Sequence, residues 1–270
     1  MNTVDLGDTE LALEDRGAGS VLLFVHGFPL DHSMWYAQLD EFARGHRVLA
    51  PDLRGFGASP LGDGEVTMRR YADDLALLLD RLDVHEKIIF CGLSMGGYIA
   101  WQFWQKYADR LAALVVCDTR AVADNPEARA GRAALAARVL ATGSQAAADA
   151  MLPKLFSPKS ERDHPEAIAA TRAVILRNPA AGIAAALDGM AKRPDVTDTL
   201  GGIAVPTLVI VGEHDAISPP DEMRGIADRI PAAEFARIRG AGHMSPLENS
   251  SEFNAALHRF LQRIDSRDLE

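Results

Sequence analysis

Lys87-Ile88-Ile89-Phe90-Cys91-Gly92-Leu93-Ser94-Met95-Gly96-Gly97 joins an apolar run to a glycine-rich turn and then to a helix-like segment. The stretch reads as strand, sharp turn and helix, with Ser94 at the turn. A serine held there takes a strained backbone conformation that lifts its hydroxyl clear of a sheet, and the turn closes only if its neighbours have almost no side chain. Gly92, Gly96 and Gly97 supply that room. The G-x-S-x-G pattern is short, and a glycine-rich turn with an incidental serine would look the same, so the surrounding chain has to decide.

On either side of this stretch the same kind of apolar run recurs: Val21 to Val25, Arg47 to Ala50, Leu111 to Cys117, Thr207 to Val211 and Glu234 to Ile238, separated by helix-length segments. Continuous hydrophobicity, unlike alternation, marks strands covered on both faces, which means parallel strands between helices. Val4 to Leu6 and Glu10 to Leu13 do alternate, around Gly7-Asp8, and predict an antiparallel hairpin at the start. The fold class is therefore α/β, a doubly wound and mostly parallel sheet.

From 118 to 206 no strand-like run occurs. Asn125-Pro126, His164-Pro165 and Asn178-Pro179 place proline at a first helical position after a residue able to cap, and Ser144 opens a further segment ending near Pro153, so four short helices are expected. An insertion of that length exceeds an ordinary connection and predicts a helical lid. The expected organisation is one core, residues 1–120 and 196–270, with a lid at 121–195 inserted after the sixth strand.

Composition narrows the function. The 270 residues carry 28 basic against 38 acidic side chains, a formal charge of -10, which argues against nucleic acid or an anionic membrane as partner. No segment has the length and apolarity to cross a bilayer and the first twenty or so residues lack a leader-like pattern, so a cytoplasmic protein is expected. Cys91 and Cys117 are the only cysteines, and both end apolar runs, so packing accounts for them better than a disulfide or a metal site. There is no phosphate loop, no H-E-x-x-H zinc helix and no complete dinucleotide fingerprint, so no cofactor and no metal are expected.

A serine hydroxyl is a poor nucleophile at neutral pH and needs a histidine base, which in turn needs an acid to fix its tautomer. Of the histidines, His243 in Gly240-Ala241-Gly242-His243-Met244-Ser245-Pro246-Leu247-Glu248 lies just beyond the last strand, at the carboxyl edge where sites in open α/β sheets gather. His258 sits within the final amphipathic helix and His46 just before a strand, where packing or solvation explains them. The acid is assigned to Asp215, directly after the run Thr207 to Val211, with Asp118 after the preceding strand in reserve. Acyl transfer also needs two donors for the developing oxyanion. One is the backbone N–H of Met95, the other that of Phe28 in His26-Gly27-Phe28-Pro29; His26 itself is expected to hydrogen-bond its loop.

These segments, together with Asp52-Leu53-Arg54-Gly55-Phe56-Gly57-Ala58-Ser59, resemble the α/β-hydrolase superfamily in order and separation over nearly the whole chain. The order Ser94, Asp215, His243 matches that family's nucleophile, acid and base. The resemblance makes the Asp52 segment a structural loop after the fourth strand. Ser94 stands where haloalkane dehalogenases and epoxide hydrolases carry aspartate, and the stretch from Ala121 to Val196 has neither tyrosine nor tryptophan, so neither activity is expected. Met34-Trp35 through Gln38-Leu39 and the Arg54 and Cys91 segments resemble bacterial carboxylesterases and 3-oxoadipate enol-lactonases. The implied activity is hydrolysis of small-molecule carboxylic esters through an acyl-enzyme, with lactones the closest alternative. A cofactor-free perhydrolase (haloperoxidase) ranks lower, since such enzymes often carry tryptophan at the position of Phe28; a slow-turnover ligand sensor ranks lower still. The lid, aliphatic with Phe156 as its one aromatic residue, predicts a modest apolar pocket, and Lys154, Arg172, Arg177 and Lys192 are its candidate cations for an acidic substrate.

Overall fold

The computed structural model describes residues 1–267; the core segment expected to run to Glu270 has its last three residues outside them. Eight strands form one sheet: β1 (Asn2–Asp5), β2 (Glu10–Arg16), β3 (Val21–Val25), β4 (Arg47–Pro51), β5 (Ile88–Leu93), β6 (Leu111–Cys117), β7 (Thr207–Gly212) and β8 (Glu234–Ile238), in the order β1-β2-β4-β3-β5-β6-β7-β8. β1 and β2 pair antiparallel across the Gly7-Asp8 turn, with Asp5 opposite Glu10, and β2 joins β4 antiparallel. From β4 through β8 every pairing is parallel. The central strands β3, β5 and β7 are buried at every position, which their uninterrupted apolar runs require.

Helices α1 (Tyr36–Phe42), α2 (Met68–Arg81), α3 (Met95–Tyr107) and α9 (Pro220–Arg229) alternate with these strands, and α10 (Ser245–Glu248) and α11 (Ser250–Arg267) follow β8. Thr67 caps α2 by accepting from the Arg70 N–H, and α2 packs along α3 while α1 packs against α11. The chain steps from β3 to β4 on one side, then returns to lay β5 on the other side of β3. That reversal opens a crevice between the loops leaving β3 and β5, the position where doubly wound sheets bind ligands.

Between β6 and β7 lie five α-helices rather than the expected four, α4 (Pro126–Thr142), α5 (Gln145–Leu155), α6 (Ser160–Asp163), α7 (Pro165–Arg177) and α8 (Ala180–Ala191), followed by a short 3-10 helix at Thr197–Gly202. α4 starts as its sequence predicts, with Asn125 accepting from the Ala128 N–H. Two local expectations fail. Pro179 is the residue before α8 and not its first, and Ser144, although it stands at the N-cap of α5, makes no side-chain capping bond because its hydroxyl donates to the Asn178 carbonyl instead. α6 escaped notice because a single turn leaves no apolar period to read. Cys91 and Cys117 are buried free thiols with sulfurs 4.0 Å apart.

Candidate active site

Ser94 lies between β5 and α3 with φ 54° and ψ -108°, and it stays partly exposed among buried neighbours. The glycines around it are where backbones meet. A Cβ on Gly92 would lie 2.3 Å from the Gly96 carbonyl oxygen, and one on Gly96 would lie 2.4 Å from that of Val25 at the end of β3. A Cβ on Gly97 would strike the Thr119 hydroxyl, which donates to the Ser94 carbonyl at 2.7 Å. The turn is thus wedged between β3 and the loop after β6, so its unfavourable φ is held by surrounding contacts.

The loop after β3 comes to the same place. A Cβ on Gly27 would sit 2.8 Å from the Leu93 side chain and 3.5 Å from Ser94 Cβ, which puts the Phe28 backbone beside the serine. Met95 is the first residue of α3, so its N–H has no helical carbonyl to meet and is free to face a ligand. His26 is fully buried: Nδ1–H donates to the Gly27 carbonyl at 3.0 Å and Nε2 accepts from the Leu53 N–H at 3.0 Å. Burial pushes its pKa down, and a neutral ring with both nitrogens engaged is loop architecture. Phe28 is followed by a cis peptide to Pro29.

Asp215 follows β7 and His243 follows β8. His243 Nδ1 lies 2.8 Å from Asp215 Oδ2, with both side chains buried. Asp215 also accepts from the Ser218 hydroxyl at 2.6 Å and from the Ile217 and Ser218 N–H groups at 2.8 and 3.1 Å. Burial alone would raise its pKa; the facing His243 and these donors outweigh burial and hold it below the ordinary carboxylate range. Asp118, after β6, points at the same cluster with φ 48°. It accepts from the Gly212 N–H at 2.8 Å and from the Ser245 hydroxyl. Burial, reinforced by the Asp215 charge, pushes its pKa well above the usual carboxylate range.

The residues singled out in the sequence therefore fall at the carboxyl ends of adjacent parallel strands: Phe28 after β3, Ser94 and Met95 after β5, Asp118 after β6, Asp215 after β7 and His243 after β8. Ser218 and Thr119, which hold Asp215 and Ser94, were not legible beforehand. Their only signal was proximity in sequence to Asp215 and Asp118. His258 pairs with Glu41 at 2.9 Å and stacks on Phe42, far from this edge in role.

Among the described residues two groups could offer a metal ion three ligands, Asp31-His32-Asp52 and Asp118-Asp215-His243. In each the oxygens already accept from backbone or side-chain donors, including Ala58 and His32 on Asp52 and Ser33 and Arg177 on Asp31. Of the candidate cations in the insertion, Arg177 pairs with Asp31, Lys192 with Glu65 and Asp188, and Arg172 reaches Gln145 and Asp149. Lys154 instead lines a cavity of about 540 Å³ with Arg120, Arg132, Arg138, Leu135, Met151 and others. Glu222 neutralises Arg120 there, and Asp124 neutralises Arg132.

Residues 20–250 match the family described as alpha/beta hydrolase fold. A thermophilic esterase from Thermogutta terrifontis, solved with malate bound, superposes with a TM-score of 0.94 at 47% identity, covering 97% of this chain and 98% of that one. The enol-lactonase from Burkholderia xenovorans superposes with a TM-score of 0.89 at 29% identity, covering 97% of this chain and all of that one (100%). In sequence, 3-oxoadipate enol-lactonase 1 of Acinetobacter baylyi is 28% identical over 243 residues, 90% of this chain and 89% of that protein.

Proposed function

The chain belongs to the α/β-hydrolase family, and from that premise we propose that it is a serine hydrolase of carboxylic esters acting through an acyl-enzyme. The observation that carries this reading is the 2.8 Å contact of His243 Nδ1 with Asp215 Oδ2, on the sheet edge that also bears Ser94 in its strained turn. An imidazole whose Nδ1–H donates to a carboxylate keeps its Nε2 lone pair available. His243 takes the Ser94 proton as Oγ attacks the ester carbonyl carbon. The N–H groups of Met95 and Phe28 receive the developing oxyanion. As the tetrahedral adduct collapses, His243 returns the proton to the leaving alcohol; a water molecule, deprotonated by the same ring, then releases the acid and restores Ser94. The insertion at 121–195 serves as the lid over this edge. The 47% identity to an esterase over almost the whole chain supports an ester substrate.

A lactonase of the 3-oxoadipate enol-lactonase type is the second reading. It is favoured by the enol-lactonase relatives; Lys154 and Arg138, which line the cavity in the insertion, are its candidate cations. One set of assays tests both. Ser94→Ala is expected to lower p-nitrophenyl ester turnover by at least about 10⁴-fold in a folded protein. A folded variant that kept more than about a tenth of the activity would remove the serine mechanism. Across a panel of esters and lactones, neutral short-to-medium acyl esters are expected to give the higher kcat/KM. Preference for a dicarboxylic lactone, abolished by Lys154→Ala, would replace the esterase reading with the lactonase one.

A further inference from the structure

Glu248, the last residue of α10, is a buried carboxylate with no basic partner among the described residues. Its Oε1 accepts from the Gly242 N–H at 2.8 Å and from the Met244 N–H at 3.2 Å, the residues on either side of His243. Its Oε2 accepts from the Ser157 N–H at 2.7 Å and the Ser160 hydroxyl at 2.5 Å, both in the insertion between α5 and α7.

A buried charge without a counter-ion is costly, and a glutamine of the same shape would cost less if only volume were needed. Glutamine does not fit this chemistry. All four neighbours are donors, and only a carboxylate offers acceptors at both ends. The backbones confirm how close the two segments lie: a Cβ on Gly242 would sit 2.5 Å from the Ser157 nitrogen and 2.7 Å from the Phe156 carbonyl carbon. The Met244 N–H also reaches the Leu155 carbonyl at 3.0 Å.

We propose that Glu248 is a positioning residue that fixes the backbone on both sides of His243 and ties it to the 157–160 corner of the insertion, so that displacement of this corner misplaces the base. The proposal rests on the reading of His243 as the general base. In this arrangement the insertion is part of the catalytic framework as well as a cover.

Glu248→Gln and Ser160→Ala in the full chain, assayed with p-nitrophenyl butyrate, test it. Glu248→Gln must turn an NH₂ toward N–H donors on one side, so kcat is expected to fall by about 10- to 100-fold with KM changed by less than about threefold. Ser160→Ala, which deletes one donor on the insertion side, should lower kcat by less, and its effect should vanish in the Glu248→Gln background. A purely structural role would lower the unfolding midpoint and leave kcat unchanged well below that midpoint; additive effects of the two substitutions would equally overturn the coupling. Should Glu248→Gln fail to fold, Ser160→Ala decides alone: reduced kcat at constant KM supports the proposal and unchanged kcat overturns it. Ser94→Ala is the control that separates the two levels. If that variant stays active the serine mechanism itself fails; if it is dead while both other variants keep full kcat, only the role of Glu248 is lost.

Discussion

Asp118 and Asp215 follow adjacent strands and bring carboxyl oxygens within 4.8 Å of each other and of a His243 ring nitrogen, yet of the two only Asp215 bonds the imidazole. Two carboxyls at that separation cannot both ionise cheaply. Burial and the charge of Asp215 push Asp118 upward, while His243, Ser218 and two backbone N–H groups hold Asp215 down.

This division of labour separates the two aspartates by assay. Asp215→Asn is expected to cost about 10³- to 10⁴-fold in kcat, because an amide cannot fix the imidazole tautomer. Asp118→Asn, isosteric with a neutral acid, should keep activity within about tenfold. The opposite pattern in ester turnover would move the acid role to Asp118.

Stability against pH gives a second test. A carboxyl whose folded pKa is raised binds its proton more tightly in the native state, so its contribution is present below the ordinary aspartate range and is lost as pH rises toward the folded value. Asp118→Asn removes that loss. Urea midpoints measured at about pH 5 and about pH 8 should shift in the variant's favour at the higher pH; an unchanged difference between variant and parent would show that Asp118 ionises normally in the fold.

Asn178, buried between α7 and α8, holds the loop that carries Phe28. Its Nδ2 donates to the Pro29 and Leu30 carbonyls at 2.8 and 3.3 Å, and its Oδ1 accepts from the Gly57 N–H at 2.7 Å. Asn178→Asp keeps the acceptor and turns the donor into an oxygen facing two carbonyls. It should destabilise the fold by about 2–4 kcal/mol and lower kcat by about tenfold or more, through a displaced oxyanion donor. Denaturant titration and steady-state kinetics on the same preparation check both parts.

Turnover should be unaffected by dialysis against EDTA. The Asp118-Asp215-His243 group is held together by donors on its oxygens, and one of its carboxyls favours the protonated form, a poor set for a divalent cation. Loss of activity restored by added metal would contradict the proposed chemistry.

The sequence was sufficient for the sheet. Buried strands leave unbroken apolar runs, and β3 and β6 begin and end where those runs do; β8 keeps its expected bounds, Glu234–Ile238, but as an edge strand it is only half-buried, with Arg237 exposed. It was also sufficient for the family, because the turn at Ser94 and the segments carrying Phe28, Asp52, Asp215 and His243 stand in the sequence in the family's order. Helices of the insertion were read where proline and asparagine mark a start, as at Asn125-Pro126. A capping bond was misread where a side chain turned to a distant partner, as Ser144 does toward Asn178.

Motif order placed Asp118, Asp215 and His243 at one sheet edge, but left two acids for one base. Their order in the chain says nothing of which oxygen meets Nδ1; that depends on how the loops after β6, β7 and β8 lie against each other. The roles of Glu248 and Asn178 were invisible for the same reason. Each hydrogen-bonds across roughly a hundred residues of chain, Glu248 to Ser157 and Asn178 to Gly57. Periodicity and turn chemistry report only the burial and conformation of a residue's own element. Sequence alone thus determined which chemical groups reach the sheet edge, and only the tertiary structure decided which of them touch, because hydrogen bonds are short and directional and packing sets the final ångströms between loops.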